Sequence, residues 1–295
     1  MEVCFIMVSI NNQPIISGEI KLLVLDIDGT IAGHDNQISE TVKIAIAKVQ
    51  NQGIQVAIAT GRMYCSALRF HQDIRSSLPL MAYQGAWIQN PHTGELHRHL
   101  AVSKSIADQL LDYFEQPDLR PLLSVHFYVG DQLYVREMTT ETTIYVERCG
   151  VTPLAIGDLR QLLTDRDSSP GPTKVLALSH DVDLIQELLG KLRLQYTPAE
   201  LYMTTSVSTF LEVTNPFVNK GTAVRYLAEE LLGLTSDNVM TIGDNFNDLE
   251  MLEYAGIGVA MGGAPQPVQA IANWVTSSVE EDGVAIAIEK FLVQQ

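Results

Sequence analysis

Six side chains in four short stretches carry the chemistry open to this sequence. Asp26 and Asp28 close the run KLLVLDIDGT (residues 21–30), and Thr60 stands in IATGR (58–62). Lys220 lies in VNKGTAV (218–224), and Asp244 and Asp248 in GDNFND (243–248). Two carboxylates at i and i+2, where an apolar run ends, repel one another and need a compensating cation. A hard, oxygen-seeking ion such as Mg²⁺ is the natural one. A hydroxyl at Thr60 beside free backbone N–H groups at Gly61 suits a phosphate. Taken singly, each stretch has a plainer reading: turn aspartates, a structural Thr-Gly turn, a surface lysine, a helix-capping Asp248. Taken together, four carboxylates, one hydroxyl and one lysine make a Mg²⁺ and phosphate site.

The elements that must position them follow from pattern. Leu22 to Leu25 form a short apolar run without alternation, as expected of a strand buried on both faces of a parallel sheet. Open α/β sheets place their chemistry at the carboxyl ends of such strands. Ile38, Val42, Ala45, Ile46 and Val49 recur at helical spacing, with Ser39 as cap and Gly53 closing the helix. Residues 54–59 and 79–83 predict two further strands of the same sheet, with a helix over 63–75 between them. Lys220 opens a helix whose buried stripe is Val224, Leu227, Ala228 and Leu231. A lysine there runs against the helix dipole, so an anion should compensate it, the candidates being Asp26 and Asp248 in the free protein and a bound phosphoryl group in a complex. Its replacement by Met is expected to change folding by only about 1 kcal/mol. Strands at 239–242, 257–261 and 274–276 and a closing helix at 283–292 complete a doubly wound core.

Between these halves the texture changes. Residues 122–129 and 133–137 flank Gly130-Asp131-Gln132 and predict a hairpin. Helices are expected at 105–116, 140–149 and 182–194, strands at 175–179, 202–205 and 209–213, and an exposed loop at 165–173. The expected organisation is an N-terminal extension (1–19), a core formed by 20–84 and 214–295, and an inserted α+β domain over 85–213. In the extension, residues 3–10 are apolar but too short to span a bilayer, and predict an extra edge strand or a loose extension. His126, Tyr128, Tyr134 and Arg136 lie on the hairpin, facing either a cleft or solvent.

The chain has 295 residues, 46% hydrophobic and 18% charged, with a formal net charge of −16. That charge argues against nucleic acid and anionic membranes as partners, because both select basic patches. Three scattered cysteines, Cys4, Cys65 and Cys149, indicate neither a disulfide framework nor a zinc site. A reduced, cytoplasmic compartment is expected, and the oligomeric state is left open.

DIDGT (26–30), Thr60, Lys220 and GDNFND match, in order, the four motifs of the haloacid dehalogenase (HAD) superfamily. IATGR, VNKGTAV, GDNFNDLEMLEYAGIGVAMGGAP (243–265) and EDGVA (281–285) resemble its Cof-type phosphatases. The resemblance covers about half the chain and implies a Rossmann-like core with a large inserted α/β cap. It further implies hydrolysis of a small phosphorylated metabolite, whether a sugar phosphate, a nucleotide or a cofactor phosphate. In that scheme Asp26 is the nucleophile that forms an aspartyl-phosphate, and Asp28 is the general acid and base. Thr60, Gly61, Lys220 and Asn247 attend the phosphate. Mg²⁺ is held by Asp26, the Asp28 carbonyl and Asp244, with Asp248 a further ligand or a support for one. Relatives often carry Asn-Gly where this chain has Gln84-Gly85. The alternatives are a phosphotransferase or phosphomutase with the same phosphoenzyme, and a non-catalytic binding protein on the same fold.

Overall fold

The computed structural model describes residues 19–164 and 171–293. The strand or extension expected at residues 3–10 therefore lies outside the described residues, as does much of the loop expected at 165–173. In chain order the first half comprises β1 (Leu22–Leu25), α1 (Glu40–Asn51), β2 (Gln55–Ile58), α2 (Tyr64–Asp73), β3 (Leu80–Ala82), β4 (Trp87–Gln89) and β5 (Leu96–His99). There follow α3 (Lys104–Phe114), β6 (Ser124–Val129), β7 (Gln132–Val135), α4 (Thr140–Cys149), β8 (Leu154–Ala155), β9 (Lys174–Leu178), α5 (Val182–Gln195), β10 (Tyr202–Thr204) and β11 (Phe210–Thr214). The chain closes through α6 (Lys220–Arg225), β12 (Val239–Gly243), α7 (Leu249–Tyr254), β13 (Ile257–Ala260), α8 (Gln266–Ile271), β14 (Trp274–Val275) and α9 (Gly283–Phe291).

Five strands form a wholly parallel sheet in the order β14-β13-β12-β1-β2. Central β1 explains its own composition. Leu23 and Leu25 pack with Val42, Ile46 and Val49 of α1 and Val284 and Ile288 of α9, while Leu22 and Val24 pack with Val224 and Leu227 on the other face. No position on this strand meets water, so none is polar. Ser39 caps α1 by accepting from Val42 N, and Gly53 leaves the helix at φ +90°, as the sequence predicts.

β3 departs from expectation. It touches β2 through one parallel bridge, Ala59 to Met81, and its main pairing is antiparallel, in a three-stranded sheet β3-β4-β5. The short strands β4, β5 and β8 lack the apolar alternation that would reveal them. The helix opened by Lys220 also differs, ending at Arg225 and continuing as a π-turn over Tyr226–Leu231. Val224, Leu227 and Ala228 are buried as the pattern predicts, but Leu231 is only half-buried.

A six-stranded sheet, β10-β11-β9-β6-β7-β8, draws all its strands from between β5 and α6. The hairpin through Gly130-Asp131 is present. His126 and Tyr128 face neither a cleft nor solvent. Both are buried, with His126 against Tyr145 and Tyr128 against Tyr83, and Arg136 pairs with Glu115. Burial drives the His126 imidazole down to about 3, so it stays neutral. Among the described residues no helix is long and apolar enough to cross a membrane.

Candidate active site

The parallel sheet brings its strand ends to one edge, and the side chains singled out by type and spacing converge there. Asp26 follows β1, Thr60 follows β2, Asp244 and Asp248 follow β12, and Lys220 opens α6 beside them. The Lys220 ammonium, fully buried, lies 2.6 Å from Asp26 Oδ1 and 2.6 Å from Asp248 Oδ1. These are the two compensating anions expected from the dipole argument. The Lys220 charge is the buried partner of two buried carboxylates, which argues for a larger folding cost on its removal than the dipole alone suggests.

Asp26, Asp244 and Asp248 each present a carboxylate oxygen within 4.8 Å of the others. Asp248 is the most committed. Its Oδ2 accepts the backbone N–H groups of Asp244 and Asn245 at 2.9 and 3.0 Å, which fixes the turn carrying Asp244. Asp244 itself meets only the Thr30 hydroxyl, at 3.4 Å, and forms no ion pair among the described residues. Burial, reinforced by Asp248 and Asp26, pushes the Asp244 carboxyl up. Burial also raises Asp26, with Lys220 opposing. Three carboxylates crowded together, two sharing one ammonium and two reluctant to ionise, are what a hard divalent cation would relieve, so the residues fit Mg²⁺. Gly29 makes the approach possible. It turns at φ +81°, and a Cβ there would stand 2.2 Å from Asp244 Oδ2.

Asp28 is not part of this triad. Arg62 donates to both its oxygens at 2.7 Å, and Arg148, from the last turn of α4, donates to Oδ1 at 2.9 Å. Burial alone would raise the Asp28 carboxyl, but the two guanidinium groups override it and hold it at about 2. Arg62 is buried and also bonds Asn36, while its Nη1 has no acceptor among the described residues.

Thr60 is buried, and its Oγ1 accepts the Arg62 N–H at 3.2 Å, leaving its own hydrogen to donate. Gly61 lies against Gln84, whose Nε2 would be 2.4 Å from a Cβ at that position. Gln84 adopts φ 60° in the left-handed region and is fully buried. Its Nε2 donates to Glu212 at 3.3 Å and its Oε1 accepts from Asn247 Nδ2 at 3.1 Å. Longer than the Asn of the resemblance, it reaches Glu212 on the six-stranded sheet.

Above these groups lies a cavity of about 240 Å³. Asp26, Asp28, Thr60, Gly61, Asp244 and Asn247 line one side. Opposite stand Ile144 and Arg148 of α4 with Val207 and Phe210, and Glu141 3.3 Å from His180. Lys220 and Asp248 sit behind the cavity wall. Arg62, Gln84, Arg148, Lys174 and Glu212 were not assigned roles from the sequence. Arg62, inside IATGR, and Gln84, where relatives often carry Asn, left signals there.

A model of the haloacid dehalogenase-like hydrolase family matches residues 23–288. The chain is 28% identical over 276 residues to the 5-amino-6-(5-phospho-D-ribitylamino)uracil phosphatase YitU of Bacillus subtilis, covering 92% of this chain and 97% of that protein. It is 29% identical over 275 residues to the B. subtilis phosphatase YcsE, named for the same substrate, covering 93% and 97%. A solved haloacid dehalogenase-like hydrolase from Bacteroides thetaiotaomicron superposes with a TM-score of 0.79 at 26% identity, covering 93% of this chain and all of the other. With the family model matched over nine-tenths of its length, the chain belongs to the haloacid dehalogenase-like hydrolase family.

Proposed function

We propose that this protein is a Mg²⁺-dependent phosphomonoester hydrolase that works through an aspartyl-phosphate on a small phosphorylated metabolite. The observation that carries the reading is Lys220 holding Asp26 and Asp248 at 2.6 Å each, beside Asp244 on the cavity floor. Asp26, Asp244 and the Asp28 carbonyl would hold the metal, and Asp248 would order them. Bound there, Mg²⁺ supplies the charge that lets a carboxylate meet a phosphate dianion.

Asp26 then attacks phosphorus in line, and the bond from phosphorus to the leaving oxygen breaks. The Thr60 hydroxyl and the Gly61 N–H hold the phosphoryl oxygens as charge redistributes, with Asn247 alongside, while Lys220 holds Asp26 from behind and adds its positive charge to the site. Asp28 gives its proton to the departing alkoxide and later takes one from the water that hydrolyses the phosphoenzyme. A carboxyl held at about 2 serves neither step well. Loss of one arginine contact would raise it, and half-exposed Arg148 is freer to leave than buried Arg62.

We further take residues 20–84 and 214–295 as the catalytic core and 85–213 as a cap that selects the leaving group. The cavity's far wall mixes apolar Ile144, Val207 and Phe210 with polar Glu141 and His180. That mixture suits a polyol or sugar phosphate carrying a flat polar ring. 5-Amino-6-(5-phospho-D-ribitylamino)uracil is thus the first compound to assay.

The test is phosphate release from that compound and from p-nitrophenyl phosphate. EDTA should abolish it, excess Mg²⁺ restore it, and Asp26→Asn remove it in a folded protein. Full activity in chelator, or wild-type turnover in Asp26→Asn, would refute the scheme. Phosphate migration without release would instead indicate a phosphotransferase.

A further inference from the structure

A buried ion pair stands outside the catalytic groups just described. Lys174 of β9 and Glu212 of β11 are each almost wholly buried and lie 2.9 Å apart. Both belong to the six-stranded sheet, yet each also holds a residue of the other half of the molecule. The Lys174 ammonium donates to the Gly61 carbonyl at 2.8 Å and sits about 5.0 Å from the centre of the Tyr128 ring. Glu212 accepts from Gln84 Nε2 on the same oxygen that meets Lys174, and from the Ser206 hydroxyl on the other. Gln84 in turn accepts from Asn247. One pair thus grips both banks of the phosphate site, the turn of Thr60 and Gly61 on one side and Asn247 on the other.

Stability alone does not account for such a pair. Desolvating two charges offsets most of their attraction, and apolar replacements of similar volume are often neutral or better. Orientation does account for it. A carboxylate at Glu212 accepts only, so it forces the amide nitrogen of Gln84 toward itself and the amide oxygen toward Asn247. The left-handed backbone at Gln84 is held in place by the same contacts.

We infer that Lys174 and Glu212 are a positioning pair through which the docked six-stranded sheet sets the shape of the phosphate cradle. The inference rests on the proposed role of Thr60 and Gly61, and the experiment separates the two.

The main variant is Lys174→Met with Glu212→Leu, which leaves no buried charge unpaired. The probes are p-nitrophenyl phosphate as substrate and inorganic phosphate as competitor. The expected result is a melting temperature within a few degrees of wild type, with kcat down and the phosphate inhibition constant up by about tenfold or more. Glu212→Gln, which keeps an acceptor oxygen but can also donate and leaves Lys174 without its counter-charge, should recover only part of both. If the double variant does not fold, Lys174→Met with Glu212→Gln is assayed in its place, with the same expected direction. Wild-type kcat and phosphate inhibition in a folded variant lacking the pair would overturn the inference. Thr60→Ala is the control. Weakened phosphate inhibition there, alongside wild-type behaviour of the pair variant, removes the pair alone. Wild-type inhibition in Thr60→Ala removes the cradle and the inference with it.

Discussion

Arg148 Nη2 lies 2.9 Å from Asp28 Oδ1, so the last turn of α4 reaches the carboxylate proposed as the general acid and base. The contact sits at the mouth of the cavity and is half-exposed on the arginine side. Its energetic weight should be modest and its dependence on pH distinctive.

Asp28 is a depressed carboxyl, at about 2 in the folded protein. Its stabilisation is complete above the unfolded value of about 4 and is lost as pH falls through about 2. Arg148→Ala removes part of the depression. The variant should be less stable than wild type at neutral pH by about 1 kcal/mol or less, given the solvent screening there. The gap should close as pH falls from about 4 toward 2. Urea melts across that range check it, and a gap that grows on acidification would contradict the assignment.

Asp26 and Asp244 behave in the opposite sense. Burial raises them to about 7 and about 9. Without metal, the stability associated with their neutral forms is full below about 4 and is lost as pH rises through the two raised values. The melting temperature of EDTA-treated protein should therefore fall from about pH 5 to 9, and Mg²⁺ should raise it more at the alkaline end. Differential scanning calorimetry with and without Mg²⁺ provides the comparison. A metal effect equal at both ends would remove these two carboxylates from the metal site.

Lys220→Met should destabilise by about 3–5 kcal/mol near neutral pH, because it strands two buried carboxylates. The loss should shrink in acid, where Asp26 becomes neutral. Turnover should collapse at every pH. Near-wild-type stability at pH 7 would mean that the ammonium is not the partner of Asp26 and Asp248.

Asp131, at the tip of the β6–β7 hairpin, docks on the amino end of α2. Its oxygens accept the N–H groups of Tyr64 and Cys65 at 3.0 and 2.9 Å and the Tyr83 hydroxyl at 2.7 Å. Asp131→Ala removes a helix cap donated from the other sheet and should cost about 1–2 kcal/mol. Asp131 lines no part of the cavity, so kcat for p-nitrophenyl phosphate should stay within a few-fold of wild type. Unchanged stability would show that the cap contributes nothing to docking.

The sequence reveals the parallel core well because β1, β2 and β12 are apolar on both faces and end in residues with distinctive chemistry. Asp26, Thr60, Asp244 and Asp248 are legible for the same reason, since each stands where a buried strand stops. β4, β5 and β8 are not legible, being two to four residues long and, Ile88 apart, half-buried or exposed. Nor are Lys174 and Glu212, which read as ordinary strand polar residues until the two sheets meet. Asp131 reads only as a turn former, and its capping of α2 spans 67 residues of chain. Contacts between elements distant in sequence leave no periodicity to find.

The pairing of β1 also has a consequence during synthesis. Leu22 pairs with Gln55 on one side and with Val239 on the other. At roughly 5–20 residues per second, the second partner leaves the ribosome about 10–40 s after the first strand. Through that interval the most apolar strand of the molecule has one open hydrogen-bonding edge. Asp26 likewise waits for Lys220, its only ion-pair partner among the described residues. The nascent chain therefore carries a half-built sheet past its whole middle third, an interval in which a chaperone that shields strand edges would raise its folding yield.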